Sequence, residues 1–361
     1  AGRSRTSGTR CGGPIGGFLG RVVFTKESAV SAPQKPPRDL TFDLLRGTAV
    51  LYIVAYYHIQ EVWLVQLPGS LAGWLARVAL ALFCFLSGYL LASQTTITDL
   101  ASTGRFLKRR LLKIYPLYLL ALLGFLGLGL IEPALFWRSA FLINTLINWN
   151  LLTLWFVSMI FLFYGLMPLF LWKPSVWKTC ALTAGLLMLL SFLRISTQGI
   201  DPRLFPNLVA FAFGILLTQA PRVRTWFLQP SFGHKVGFLI VFGAVSFLTW
   251  KIAPQDEQPL HVAWILLWFG AALPWLIVLA RKMASLLPAK GISSLATASF
   301  VLYLSHRIVF RIGENLLPAP TPLVRQFYYL LVLLPVALIL SYWLQVAYQR
   351  LTSGDFFLRK S

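Results

Sequence analysis

Charge is what this sequence has least of. Only 12% of its 361 residues are charged, and only 11 are acidic, whereas a soluble domain carries about 25% charged residues. That shortage excludes a water-soluble enzyme, and the apolar content excludes a disordered chain. Cysteine is scarce as well. Cys11, Cys84 and Cys180 lie far apart, two of them inside apolar runs, so neither a disulfide framework nor a metal-ligand spacing can be built from them. No internal repeat is visible, which disfavours transporter folds assembled from duplicated halves.

Apolar surface is what the chain has most of. Hydrophobic residues make up 57% of it, aromatics 15% with 13 Trp, and mean hydropathy is +0.72. This is the composition of an all-α polytopic membrane protein with aromatic belts at the bilayer faces. Ten apolar stretches of roughly 20 residues, the length that crosses hydrocarbon, run from about 44–64, 73–93, 112–131, 151–171, 178–194, 204–220, 235–251, 261–281, 292–313 and 325–348. Residues 139–172 carry no charge over 34 positions, too many for one helix. Asn144, Asn148 and Asn150 therefore predict a short outer segment before the fourth span. The expected organisation is a disordered cytoplasmic tail or gene-model extension over 1–40, a membrane domain over 41–349 and a short cytoplasmic tail over 350–361.

The net charge of +21 would point to nucleic acid in a soluble protein. Here the basic residues flank apolar runs, so lipid headgroups and topology account for them and no nucleic-acid partner is expected. With the N-terminus inside, 24 Lys and Arg fall on the cytoplasmic side and 7 on the other. Both termini are then expected to be cytoplasmic.

Ionisable residues inside apolar spans mark candidate sites, because each must face a cavity or a partner. The first span opens with Asp43-Leu-Leu-Arg46-Gly47 and ends in Tyr56-Tyr57-His58, with Glu61 one turn on. Further along come Phe83-Cys-Phe-Leu-Ser87-Gly88-Tyr89 and the basic run Arg109-Arg110-Leu-Leu-Lys113-Ile-Tyr115-Pro116-Leu-Tyr118. Leu154-Trp155-Phe156-Val-Ser158 continues to Tyr164 and Pro168, and Ser299-Phe-Val-Leu-Tyr303-Leu-Ser-His306-Arg307 lies in the penultimate span. These five stretches, in this order, resemble the acyltransferase 3 family of integral membrane acyltransferases. Two departures stand out. Eleven residues separate Arg46 from His58, one more than the family's usual spacing. In a regular helix that step turns His58 about 120° away from Arg46, which predicts either that Arg46 lies outside the helix or that a π-bulge absorbs one residue. Ile160 also stands where the family commonly has a glutamate.

The resemblance implies transfer of an acyl group, often acetyl from acetyl-CoA, to a hydroxyl of a cell-surface glycan, with acyl-CoA as donor substrate and no permanently bound cofactor or metal. The expected acceptor is an exopolysaccharide, another envelope glycan or a lipid-linked oligosaccharide, and the expected location is a bacterial inner membrane. His58 and His306 each lie 14 residues into outward-running spans, roughly 20 Å from the cytoplasmic end. Arg46, Arg109, Arg110, Lys113 and Tyr115 lie near that end and suit coenzyme A phosphates, although topology alone also explains the Arg pair. A neutral His58 can take the acceptor hydroxyl proton. Glu61 reads either as the group that orients its ring or as an interfacial carboxylate. Asp43, Ser87, Trp155, His306 and Arg307 are candidate substrate contacts or site walls. Ser87-Gly88 suits close helix packing better than a nucleophile, and Trp155 equally suits the aromatic belt. Two other readings stay open: a flippase or transporter of a lipid-linked glycan, and succinyl transfer to a periplasmic glucan.

The charge asymmetry is directly testable. Reporter fusions in the loops at 94–113 and 281–290 should report the cytoplasm, and fusions beside Asp256-Glu257 the opposite side. Asp256 found in the cytoplasm would overturn the assignment.

Overall fold

The computed structural model describes residues 39–352 except 64–65, 68, 143–145, 147–150, 198, 230, 253–258 and 319–320, and the side chains of 61–62, 69–70, 249–252 and 259–262 are also outside the description. The Asn144, Asn148 and Asn150 segment, the Asp256-Glu257 loop and both chain tails fall outside the described residues. Within them the fold is helical, and the sole β-pairing is an isolated bridge between Ile97 and Trp172.

Thirteen α-helices follow one another among the described residues. They are α1 (Leu40–Ala55), α2 (Gly69–Gln94), α3 (Leu100–Gly127), α4 (Pro133–Ala140), α5 (Trp155–Leu171), α6 (Val176–Thr197), α7 (Leu204–Gln219), α8 (Pro221–Leu228), α9 (Phe232–Ile252), α10 (Pro259–Leu286), α11 (Ala289–Leu316), α12 (Pro322–Tyr328) and α13 (Leu334–Thr352). Six continuous helical segments are long and apolar enough to cross a bilayer, or seven if α7 and α8, bent by 114°, form one broken span. Each of the ten expected stretches falls on helix. A count of ten crossings does not follow, because α5 and the apolar part of α9 are short and α1 has only 16 residues.

Local chemistry sets the helix ends. Asp39 caps α1 by accepting from the Thr41 N–H at 2.8 Å, and Pro221 opens α8 where its missing N–H costs nothing. Asp99 and Ser102 form a reciprocal capping box at the start of α3. Those bonds from Ser102 hold the Asp99 carboxyl below the usual carboxylate range. Among the helices, α6 reveals the solvent: its apolar window is only 11% buried within the protein, and Met188, Leu189, Phe192 and Ile195 are all exposed. A surface of that kind is stable against lipid tails and not against water.

The first span breaks where regular helix was expected. Arg46 lies inside α1, so it is not displaced from the helix, and no π-bulge intervenes. Instead α1 stops at Ala55, Tyr56 takes φ −126° and ψ −67°, and Tyr57–Val62 continues as a 3₁₀ turn. The longer Arg46–His58 spacing is accommodated by this change of helix type, which re-aims His58. The break frees backbone carbonyls that hydrocarbon cannot satisfy, and the Trp63 indole N–H donates to one of them, Ala55 O, at 3.2 Å.

Against this broken helix stands a rigid pair. Gly88 of α2 lies against the Phe211 carbonyl of α7, and Gly214 of α7 lies against the Phe85 carbonyl of α2. Each glycine thus abuts the carbonyl of a phenylalanine three residues before the other glycine, so the backbones touch. The closeness of Ser87-Gly88 is therefore a packing feature. Gly88→Ala and Gly214→Ala should each destabilise the protein by about 1–3 kcal/mol, read as a lower melting temperature in detergent. Gly165, with open space around it, is the control, and Gly165→Ala should be neutral or slightly stabilising.

Candidate active site

The 3₁₀ turn that follows α1 meets α11 through two histidines. His58 Nδ1 and His306 Nε2 are 2.9 Å apart, and the two rings are parallel within 1°. His306 is fully buried, flanked by Tyr303 and Phe310. Its Nδ1 lies 3.0 Å from the Leu302 carbonyl, so both ring nitrogens are occupied within the protein. Arg307 lies within electrostatic reach of both rings. His58 alone of the pair opens to a cavity of about 240 Å³, close to the lower end of ligand pockets at roughly 300 Å³. His306 was expected as a wall or substrate contact. It stands one layer behind, with its edge rather than its face toward His58.

The cavity wall facing His58 comes from the helix starts of α5 and α7. Trp155 lines it, as do Arg203 and Asn207, with Arg77 from α2 and Tyr303 from α11. Asp201 is 2% exposed and accepts from Arg203 Nε at 2.8 Å and Nη2 at 2.6 Å. The paired guanidinium lies 3.8 Å over the Trp155 ring, a cation–π contact strengthened by desolvation. Asn207 donates Nδ2 to the Arg203 carbonyl at 2.8 Å. The Tyr303 hydroxyl donates to Thr153 O at 2.6 Å, tying α11 to the approach to α5.

Nearer the start of α1 lies a second polar cluster. Arg46 Nη2 donates to Ala296 O at 3.1 Å and reaches Asp43 Oδ1 at 3.4 Å. Ser87 accepts from the Tyr164 hydroxyl at 3.5 Å, and that hydroxyl is within electrostatic reach of Arg46 and Arg110. Arg110 is half-buried over the Phe106 ring at 5.5 Å, and its Nε has no hydrogen-bond partner among the described residues. On α11, Ala296 and His306 are ten residues apart, which separates the two sites by roughly 15 Å.

The expected donor group therefore divides. Arg46 and Arg110 converge with Asp43 and Ser87, whereas Arg109 and Lys113 occupy the exposed side of α3. Tyr115 is used elsewhere: its hydroxyl donates to Ala140 O at 3.0 Å and helps fasten α4. The side chain of Glu61 lies outside the described residues. Among the described residues no group of three His, Cys, Asp or Glu side chains is placed to hold a metal.

Asp201, Arg203, Asn207 and Arg77 were not singled out from the sequence, where Arg203 and Arg77 read only as outer-side charges. The available signal was Asp201-Pro-Arg203 with Asn207 one turn later: acid, base and amide at the mouth of an otherwise apolar span. The ion pair can be tested by a double-mutant cycle. Asp201→Asn should destabilise the protein by about 1–3 kcal/mol, since Arg203 keeps its charge and loses its partner. Adding Arg203→Gln should cost much less than the sum of the single changes. Strict additivity in the melting data would show that the pair carries no coupling.

A family model described as an acyltransferase domain, that of acyltransferase 3, matches residues 39–346. No curated protein matches the chain. The matched span contains both polar sites, and with so large a share of its length covered the chain belongs to the acyltransferase 3 family of membrane acyltransferases.

Proposed function

We propose that this protein takes an acyl group, acetyl foremost, from acyl-CoA and places it on a sugar hydroxyl of an exopolysaccharide or another envelope glycan. In this reading the chain crosses a bacterial inner membrane ten times with both termini cytoplasmic. The donor arrives from the inside and the acceptor, free or lipid-linked, from the outside. The observation that carries the reading is the position of His58: one ring nitrogen is held by His306, and the ring lines a cavity with polar walls.

The chemistry needs few groups. The acceptor hydroxyl gives its proton to His58 Nε2 as its oxygen attacks the thioester carbonyl. The carbon–sulfur bond then breaks, the coenzyme A thiolate leaves, and the imidazolium returns the proton to sulfur. Arg46 and Arg110 supply cationic donors at the inner cluster for the phosphates of coenzyme A. Trp155, Arg203 and Asn207 supply an aromatic face and polar contacts for the sugar.

His58→Gln is the decisive variant. It should insert and bind acetyl-CoA normally, yet lose about 10²–10⁴-fold in transfer, because an amide hydrogen-bonds but accepts no proton at neutral pH. Radiolabel from acetyl-CoA should appear on glycan with the wild type and stay on coenzyme A with the variant. Transfer at a near-normal rate by folded His58→Gln would overturn the reading, and a transporter would leave the label on coenzyme A in both.

A further inference from the structure

The histidine pair carries more than a contact. We infer that His306 is a positioning residue that fixes the tautomer of His58, so that the base operates from a neutral histidine–histidine pair in place of a carboxylate–histidine pair. The inference rests on the reading of His58 as the base and deepens it.

Hydrogen-bonding logic assigns the protons. The Leu302 carbonyl can only accept, so the His306 Nδ1 at 3.0 Å carries a hydrogen. Among the described residues no anion beside this fully buried ring compensates a second proton, and the neighbouring Arg307 is itself a cation. His306 Nε2 is therefore a bare lone pair. His58 Nδ1 lies 2.9 Å from it, and two lone pairs at that distance repel, so His58 Nδ1 is the donor. The remaining His58 nitrogen, Nε2, is then unprotonated, and His58 lines the cavity. One carbonyl on α11 thus determines, through two rings, which nitrogen of His58 can accept a proton. The tautomer of a histidine is set by the bond its other nitrogen makes.

Position supports the assignment. His306 is fully buried with both nitrogens engaged, so it touches neither acceptor nor acyl group. The edge-to-edge hydrogen bond to His58, whose ring is parallel within 1°, and the neighbouring Tyr303 and Phe310 rings restrict its rotation. The 3₁₀ turn after Ala55 presents His58 to it. When His58 takes the acceptor's proton, the new charge is shared along the hydrogen bond to His306 Nε2, and no proton has to cross to His306.

The intact protein, labelled with ¹⁵N-histidine, contains four histidines, and their ring-nitrogen shifts distinguish the tautomers in detergent. His58 should show protonated Nδ1 and bare Nε2. His306→Gln keeps an amide oxygen for His58 and an amide N–H for Leu302, and should preserve that signature with transfer within about tenfold of wild type. His306→Leu keeps bulk without an acceptor. It should shift His58 toward the opposite tautomer and lower kcat by roughly 10²–10⁴-fold, as when a triad's orienting acid is lost, with donor and acceptor KM within about twofold. The rate assay is coenzyme A release from acetyl-CoA with glycerol and methyl glucoside as hydroxyl probes. Protonated Nε2 on His58 in the wild type or in His306→Gln overturns the inference, even if His306→Leu fails to fold. So does a His306→Leu protein with an unchanged tautomer or a normal kcat while His58→Gln is inactive. An active His58→Gln would instead remove the base reading and leave the spectra to decide the hydrogen bond alone.

Discussion

Polar groups among these helices have no water to fall back on, so each must find its partner inside the chain. The hydrogen bonds that α1 and the 3₁₀ turn after it make to α11 answer that constraint, and the site depends on them. At one level the Arg46 guanidinium meets the Ala296 carbonyl, and further along His58 meets His306. Two polar contacts between neighbouring apolar helices fix their register in a way that leucine against leucine cannot. The break after Ala55 is then intelligible. It spends regular helix geometry to bring the second contact into line, and the Trp63 indole satisfies a carbonyl that the break exposes.

The two polar sites are built by different physics. The Arg46 site is cationic and partly open, with Arg110 half-buried and Arg109 and Lys113 exposed beyond it. The His58 site is built from matched groups: Arg203 is paired with Asp201, and the two histidines with each other. The separation of roughly 15 Å along α11 is short enough for an extended thioester arm to bridge.

The helices themselves are legible in the sequence, because an apolar run of about 20 residues has one stable outcome in lipid. His58, His306, Trp155 and Arg46 are legible for the same reason, since polar residues in such runs demand explanation. The break at Tyr56 is not, as no proline or glycine announces it and the contact made just beyond it, His58 to His306, spans 248 positions. Arg203 is hidden by its location: at the edge of a span a cation reads as topology, and only the fold lays it on Trp155. Tyr115 misleads in the opposite sense, since its motif is found but its hydroxyl serves the short helix α4.

The glycine seam between α2 and α7 has a consequence for how this site can evolve. Both residues at the contact already have no side chain, so an enlargement at position 88 has no shrinkage at position 214 to offset it. Drift in the seam can proceed only by moving the helices apart. Those helices also carry Arg77 and Asn207 into the cavity wall, so a change in their separation resizes the chamber beside His58. The size of that chamber is thereby tied to two positions that do not line it.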